Sequence, residues 1–139
     1  MTVIKLVYEV EKQDFVKAGQ ASSDIKKKLK QLGVPSETTR KVAISTYEAE
    51  MNIVIHSQGG YIEVNIEEQA ISIKAKDRGP GIKNIELAMQ EGYTTATDKV
   101  RELGFGAGMG LPNIKSCSDE FKIKSVLGKY TELDVQIYF

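Results

Sequence analysis

Hydrophobic positions alternate at the start of the chain and then change period. Ile4, Leu6, Tyr8 and Val10 lie at every second position, which is the pattern of a half-buried β-strand. Over residues 12–32 the apolar side chains take helical spacing instead, with a lysine run on the opposite side. The run comprises Lys26, Lys27, Lys28 and Lys30. It is typical of a solvated helix face, and a docking patch is the alternative.

A second helix is predicted from capping signals. Ser36 suits the N-cap, and Glu37 lies in the first turn, where the helix dipole favours negative charge. The helical pattern continues to about Ser57 and stops at Gly59 and Gly60.

The remaining segments predict two hairpins and a third helix. Residues 61–66 and 70–77 both alternate and are separated by a short polar turn, which indicates an antiparallel hairpin. Residues 111–120 have a helical pattern, and residues 121–126 and 131–139 form a closing hairpin. This order predicts an α+β fold: a two-layer sandwich of a mixed, mainly antiparallel sheet with helices on one face.

Length and charge narrow the class of protein. A chain of 139 residues with 41% hydrophobic residues predicts one globular domain covering 1–139. Lys plus Arg and Asp plus Glu each number 19, so the formal net charge is zero. We therefore expect neither nucleic acid nor an anionic membrane to be held by bulk charge.

Cysteine and histidine are too scarce for several kinds of site. Cys117 is the only cysteine, which excludes an intramolecular disulfide and a cysteine-based zinc site. His56 is the only histidine, so a histidine-rich metal site is not expected. No run of 18 apolar residues and no signal-peptide pattern occur, so the expected location is the cytoplasm.

Glycine is concentrated in one part of the sequence. Of the 12 glycines, seven lie within residues 79–110: Gly79, Gly81, Gly92, Gly104, Gly106, Gly108 and Gly110. Glycine costs backbone entropy on folding, so such crowding indicates a place where the backbone turns sharply or approaches a ligand closely.

Three groups of residues and one single residue, Thr131, are candidates for chemistry. Glu48 and Asn52 lie four residues apart on the second helix, so both project from one face. They could serve as a proton-accepting acid and a metal-binding amide oxygen. The alternative is that they are simply a polar stripe on the helix. Asp77 has the parity of the inward residues of its strand, and a buried carboxylate needs a partner such as a purine amino group. Gly79 and Gly81 would leave room for a flat ring, and a solvated turn is the alternative.

The third group is the glycine run from Gly104 to Gly110, directly before a helix. Backbone N–H groups in such a loop suit phosphate oxygens. A Rossmann motif is excluded because no strand precedes the run, and a P-loop is excluded because no Gly-Lys-Ser/Thr follows. A hinge without ligand contact is the alternative. Thr131, late in the chain, has the parity of the inward residues of the last strand.

Together these motifs resemble the boxes of the GHKL ATP-binding fold. They are Glu48-x-x-x-Asn52, Asp77-x-Gly79-x-Gly81, Gly106-x-Gly108-x-Gly110 and Thr131, in that order. Within that fold the chain resembles the bacterial anti-sigma factor and serine/threonine switch kinase family, over nearly its whole length.

The resemblance implies a role for each matching residue. Asp77 would bind the adenine amino group, and Thr131 would support the base. Asn52 would coordinate Mg²⁺, and Glu48 would be the catalytic general base. The triphosphate would be lined by Gly106, Gly108 and Gly110, and Gly104 would bind the cofactor from near the end of the lid. Residues 82–105 would form a mobile ATP lid, from which Arg101 could reach the γ-phosphate.

The function implied is that of a serine/threonine protein kinase in a bacterial partner-switching pathway. It would use Mg-ATP to phosphorylate a small antagonist protein of the STAS type, by in-line transfer. The alternative is an ATP-dependent anti-sigma factor or regulatory module that sequesters a sigma factor or other regulator without needing kinase activity. A nucleotide-gated part of a larger enzyme system is a third class. The resemblance also allows a homodimer.

Overall fold

The computed structural model describes residues 2–90 and 110–139. Its elements are β1 (Thr2–Val10), α1 (Gln20–Gln31), α2 (Ser36–His56), β2 (Gly60–Glu67), β3 (Ala70–Arg78), α3 (Ile85–Ala88), α4 (Gly110–Cys117), β4 (Glu120–Val126) and β5 (Tyr130–Tyr138). The predicted α+β class with both hairpins is confirmed.

The five strands form one sheet in the order β1-β2-β3-β5-β4. Each neighbouring pair is antiparallel, so the described strands contain no parallel pair. The register aligns Gly60, Asp77, Thr131 and Ser125 in one row across β2, β3, β5 and β4. This row places the candidate Asp77 and Thr131 side by side at one end of the sheet.

The first helix begins later than the periodicity predicts. α1 starts at Gln20, while Phe15 and Ala18 precede it and pack against the core from an irregular segment. The start is fixed by Glu50 of α2, whose buried carboxylate accepts hydrogen bonds from three backbone N–H groups. The donors are those of Gly19, Ala21 and Ser22, at 3.0, 3.3 and 3.1 Å. Free N–H groups at a helix start need such acceptors, and a distant residue provides them here.

The second helix has almost the predicted bounds. Pro35, and not Ser36, occupies the N-cap position, and its carbonyl accepts the N–H of Thr39 at 2.9 Å. At the other end Ser57 Oγ donates to the Ile53 carbonyl at 2.7 Å and accepts the Gly59 N–H at 3.0 Å. Ser57 therefore satisfies backbone groups where α2 gives way to β2.

The third predicted helix is shorter than residues 111–120. α4 ends at Cys117, because the Asp119 N–H already donates to the Gln136 carbonyl of β5 at 2.9 Å. Sheet pairing thus begins two residues after the helix ends.

The core lies between the inner face of the sheet and the helices, with α2 contacting four strands. Fully buried side chains come from every layer: Ile25, Leu29, Val42, Val54, Ile62, Val64, Ile71, Ile114 and Ile137. Each such side chain contributes about 1.5–3 kcal/mol through burial. Among the described residues no helix is long and apolar enough to cross a membrane.

Candidate functional site

Asp77 lies half-buried at the end of β3. Its Oδ1 accepts the backbone N–H of Thr131, its neighbour on β5, at 3.1 Å. Burial raises the pKa of the Asp77 carboxyl, and the Thr131 hydrogen bond lowers it by less. Within residues 2–90 and 110–139 no donor reaches Oδ2 of Asp77, so that oxygen is open to a donor from a ligand.

The two glycines after Asp77 are needed for close packing. A Cβ on Gly79 would lie 3.1 Å from the Cα and Cβ of Ser57. Gly81 has φ of +73°, and a Cβ there would lie 2.7 Å from the Val126 carbonyl oxygen. Protein atoms thus occupy the space beside both glycines, and the loop is held between the end of α2 and β4. That they also leave room for a flat ring remains a prediction.

Ser125 is a residue that the sequence reasoning missed. Its Oγ accepts the Ile82 N–H at 2.7 Å and donates to the Tyr130 carbonyl at 3.1 Å. It also lies 3.2 Å from Oγ1 of Thr131. Ser125 therefore ties the loop after Gly81 to the strand that carries Thr131. Ser125 and Thr131 lie opposite each other in the closing hairpin. This pairing with Thr131 was the signal by which the sequence could have indicated Ser125.

A second cluster forms where α2 meets the start of α4. Gly110 is the first residue of α4, and a Cβ on it would lie 3.3 Å from Asn52 Oδ1 and 3.5 Å from Glu48 Oε2. Glu48 and Asn52 thus project from the same face of α2, as their spacing predicts. Glycine at position 110 lets the start of α4 approach both side chains without displacing either of them.

Asn113 was also missed, although it is one turn into α4. Its Nδ2 donates a hydrogen bond of 3.2 Å to Oε2 of Glu48. This contact restricts the orientation of the Glu48 carboxylate. The signal was its position three residues after Gly110, which puts both on one helix face.

His56 and Glu50 lie near Asn52 in sequence but have other surroundings. Glu50 is buried against the start of α1, away from the face that carries Glu48. His56 borders a groove together with Arg78 and Pro80, and burial lowers the pKa of its imidazole. Burial therefore favours the neutral imidazole of His56 at pH 7.

Several predicted residues lie outside the part of the chain that the structure describes. These are Arg101, Gly104, Gly106 and Gly108, together with residues 91–105 of the predicted lid. Residues 82–90 are described, and they include α3, where Asn84 Oδ1 caps the helix by accepting the Leu87 N–H at 3.1 Å.

The described side chains supply only part of a metal site. A cation bound here would take most of its ligands from groups other than these side chains. Among the described side chains no cluster of three His, Cys, Asp or Glu residues could hold a metal ion. Asn52 of α2 offers a single amide oxygen, which lies beside the start of α4. Mg²⁺ suits such a place, because it keeps several waters and takes phosphate oxygens instead of a full protein cage.

Comparison with known proteins identifies the class to which this fold and site belong. Residues 14–137 match the model of the histidine kinase-like ATPase domain. Because the match spans nearly the whole chain, the chain belongs to this family. This match confirms the predicted GHKL fold, and similarity to a serine/threonine-protein kinase and to an anti-sigma F factor confirms the predicted group within it.

Individual relatives narrow the comparison. The chain is 31% identical over 126 residues to the serine/threonine-protein kinase RsbT of Bacillus subtilis, covering 86% of this chain and 85% of that protein. It is 37% identical over 98 residues to the anti-sigma F factor of Clostridium acetobutylicum, covering 67% of this chain and 64% of that one.

A solved structure supports the fold independently. The SiaB–SiaC complex from Pseudomonas aeruginosa contains a chain that superimposes with a TM-score of 0.64 at 13% identity. The superposition covers 95% of this chain and 88% of that chain. At this identity the likeness concerns the fold alone.

Proposed function

We propose that this protein is an ATP-dependent serine/threonine kinase of a partner-switching pathway, and that it phosphorylates a small antagonist protein of the STAS type. The observation that carries the proposal is the convergence of Glu48 and Asn52 on Gly110 at the start of α4. An acid and an amide oxygen beside a helix N-terminus are what phosphoryl transfer needs in one place. A relative that aligns over 86% of this chain and 85% of its own length is a named serine/threonine-protein kinase.

At the other end of the site Asp77 would bind adenine. Its free Oδ2 is the acceptor for the exocyclic amino group, and the Thr131 N–H holds Oδ1 in place. A hydrogen bond to a charged acceptor contributes about 1.5–3 kcal/mol. Thr131 and Ser125 then support the base from the neighbouring strands.

The phosphates would lie at the N-terminus of α4. The Gly110 N–H is the described member of the glycine set assigned to them, with Gly106 and Gly108 before it. Gly104 and Arg101 would bind the cofactor from the lid. Asn52 Oδ1 would hold Mg²⁺. When bound, the ion neutralises charge on the phosphate oxygens.

Glu48 would be the general base. It would accept the proton of the substrate's serine or threonine hydroxyl as that oxygen attacks the γ-phosphorus in line. The bond from the γ-phosphorus to the β–γ bridging oxygen breaks, and ADP is the leaving group. One of its oxygens accepts the Asn113 hydrogen bond, which leaves the other for the hydroxyl. Catalysis then consists mostly of positioning and charge neutralisation.

A second candidate is an ATP-dependent anti-sigma factor for which phosphorylation is not required. Relatives named anti-sigma F factor support it, including the one 37% identical to this chain. In this version the protein is a homodimer in the cytoplasm. It sequesters a sigma factor there. Loss of Glu48 would then leave inhibition of transcription intact.

Incubation of the purified protein with Mg-ATP and each STAS-type protein of the source genome tests the proposal. Intact-mass measurement should show one added phosphoryl group on one of them, and peptide mapping should place it on serine or threonine. If the protein binds ATP and modifies none of them, the kinase proposal is wrong. Inhibition of a sigma factor in a transcription assay would then favour the second candidate.

A further inference from the structure

An open groove runs across the helical layer and reaches the candidate catalytic carboxylate. It is lined by residues of α1, of α2 and of α4, together with Gly19 just before α1. They are Gly19, Ser22, Ser23, Lys26, Arg40, Ala43, Ile44, Tyr47, Glu48, Asn113, Ser116 and Cys117. We call this feature the Glu48 groove.

One stripe of α2 forms the length of the Glu48 groove. Arg40 lies at one end and Glu48 at the other, eight residues apart, with Ala43, Ile44 and Tyr47 between them. These positions follow the three- and four-residue spacing of a single helix face. At 1.5 Å per residue the two charged ends lie about 12 Å apart along the helix.

Some cations on α1 and α2 pair with acids, whereas the two cations of the groove pair with no acid among the described residues. Lys28 pairs with Asp24 at 3.0 Å, and Lys41 pairs with Glu37 at 3.9 Å. Lys26 and Arg40 are exposed, and within the described ranges no carboxylate lies within 4.0 Å of either charge. The groove therefore offers two cations that no described acid neutralises.

Lys26 lies on the Arg40 side of Glu48. Because Glu50 binds the start of α1 and a short turn joins the end of α1 to α2, the two helices are antiparallel. Six residues along α1 from Gln20 bring Lys26 level with about the middle of the stripe. Both cations thus lie roughly 6–12 Å from Glu48 along α2.

We propose that the Glu48 groove binds the acceptor segment of the protein substrate, and that Lys26 and Arg40 bind an acidic side chain of that segment. This inference rests on the proposed kinase function. The acceptor hydroxyl lies at Glu48, an apolar side chain packs on Ala43, Ile44 and Tyr47, and the carboxylate lies between the cations. An extended chain advances about 3.3 Å per residue, so the acid is two to four residues from the acceptor.

Charge fixes the direction of binding. The carboxylate of Glu48 repels an acid at its own end of the groove, while Lys26 and Arg40 attract it at the other. The substrate segment can therefore enter in one orientation only, with its hydroxyl beside the base. This supplies specificity that the nucleotide site alone does not give.

A charge-reversal pair with a matched control tests the groove. Lys26→Glu with Arg40→Glu is compared with Lys27→Glu plus Lys30→Glu, which makes the same change in net charge on exposed lysines outside the groove. The substrate in this test is the STAS-type protein that wild type phosphorylates. The groove variant should have a KM for this substrate at least tenfold higher than wild type, with an unchanged affinity for ATP. The control should stay within about twofold. Equal KM values for groove and control variants would overturn the proposal while leaving the kinase function standing.

Cys117 gives a second readout that needs no phosphoryl transfer. It is the only cysteine and lies in the groove, partly exposed. The STAS-type protein should slow alkylation of Cys117 in wild type and in the control variant but not in the groove variant. If phosphorylation fails with every STAS-type protein but this protection holds, the kinase function is wrong and the docking surface stands. If neither occurs, both are wrong. Protection that grows with the concentration of this protein alone would assign the groove to a second copy and overturn the proposal.

Discussion

The backbone N–H of Thr131 donates a 3.1 Å hydrogen bond to Oδ1 of Asp77, across the pairing of β5 with β3. The bond orients a carboxylate whose pKa burial raises, and it leaves Oδ2 for a ligand. A half-buried carboxylate with one open oxygen lowers the stability of the protein without ligand. When a ligand donor binds Oδ2, the carboxylate gains a hydrogen-bond partner.

Replacing Asp77 with asparagine should therefore separate stability from binding. The folded protein keeps the proton of Asp77 to higher pH than the unfolded chain does, so wild-type stability falls as pH rises from about 3.9 through the raised pKa. Asp77→Asn has no carboxyl group to titrate at this position, so it lacks this loss of stability. At pH values above the raised pKa it should therefore unfold at a higher temperature than wild type. Its affinity for ATP in calorimetry should fall at least tenfold. Unchanged affinity would overturn the adenine-end model.

Gly81 and Gly128 allow a matched test of loop packing. Both have positive φ, +73° and +79°, but a Cβ on Gly81 would lie 2.7 Å from the Val126 carbonyl oxygen, while nothing lies within 4 Å at Gly128. Gly128→Ala should cost about 1 kcal/mol from the backbone alone. Gly81→Ala should cost about 2–4 kcal/mol in urea denaturation, because backbone atoms must move. Equal costs would contradict the packing described for this loop.

Glu50 should matter for folding and not for binding. Its carboxylate accepts three backbone N–H groups at the start of α1, so Glu50→Ala leaves buried donors without an acceptor. We expect a loss of about 3 kcal/mol in the free energy of unfolding. Glu37→Ala removes an exposed acid that lies in the first turn of the same helix and pairs with Lys41, and it should cost about 1 kcal/mol or less. A stable Glu50→Ala protein with weakened ATP binding would contradict the structural role.

Asn113 should act through Glu48. Asn113→Ala removes the donor to Oε2 and lets the carboxylate turn, so kcat should fall by about tenfold. The affinity for ATP should not change, because the residue contacts Glu48 and no proposed nucleotide-binding group. Lys115→Ala, exposed on the same helix, is the control. Loss of ATP affinity in Asn113→Ala, or an unchanged kcat, would count against a positioning role.

The sequence predicted the parts of the fold that depend on local pattern. Alternation alone placed Asp77 and Thr131 on the inner face, and the structure pairs them directly. Helical spacing alone placed Glu48 and Asn52 on one face.

Contacts between distant segments could not be predicted in the same way. The start of α1 depends on Glu50 of the next helix, 30 residues further along, which periodicity cannot detect. The closeness of Gly81 to Val126 appears only when β4 lies beside the loop. Asn113 and Ser125 were missed for the same reason, since their partners come from other elements.

The most direct test of the central claim compares wild type with Glu48→Gln in phosphorylation of the STAS-type proteins. Wild type should transfer one phosphoryl group from Mg-ATP to a serine or threonine of one of them. Glu48→Gln should bind ATP with unchanged affinity and transfer at least a hundredfold more slowly, since a positioned base contributes about 10²–10⁴-fold. Undiminished transfer by Glu48→Gln, or no transfer by wild type that binds ATP, would contradict the account.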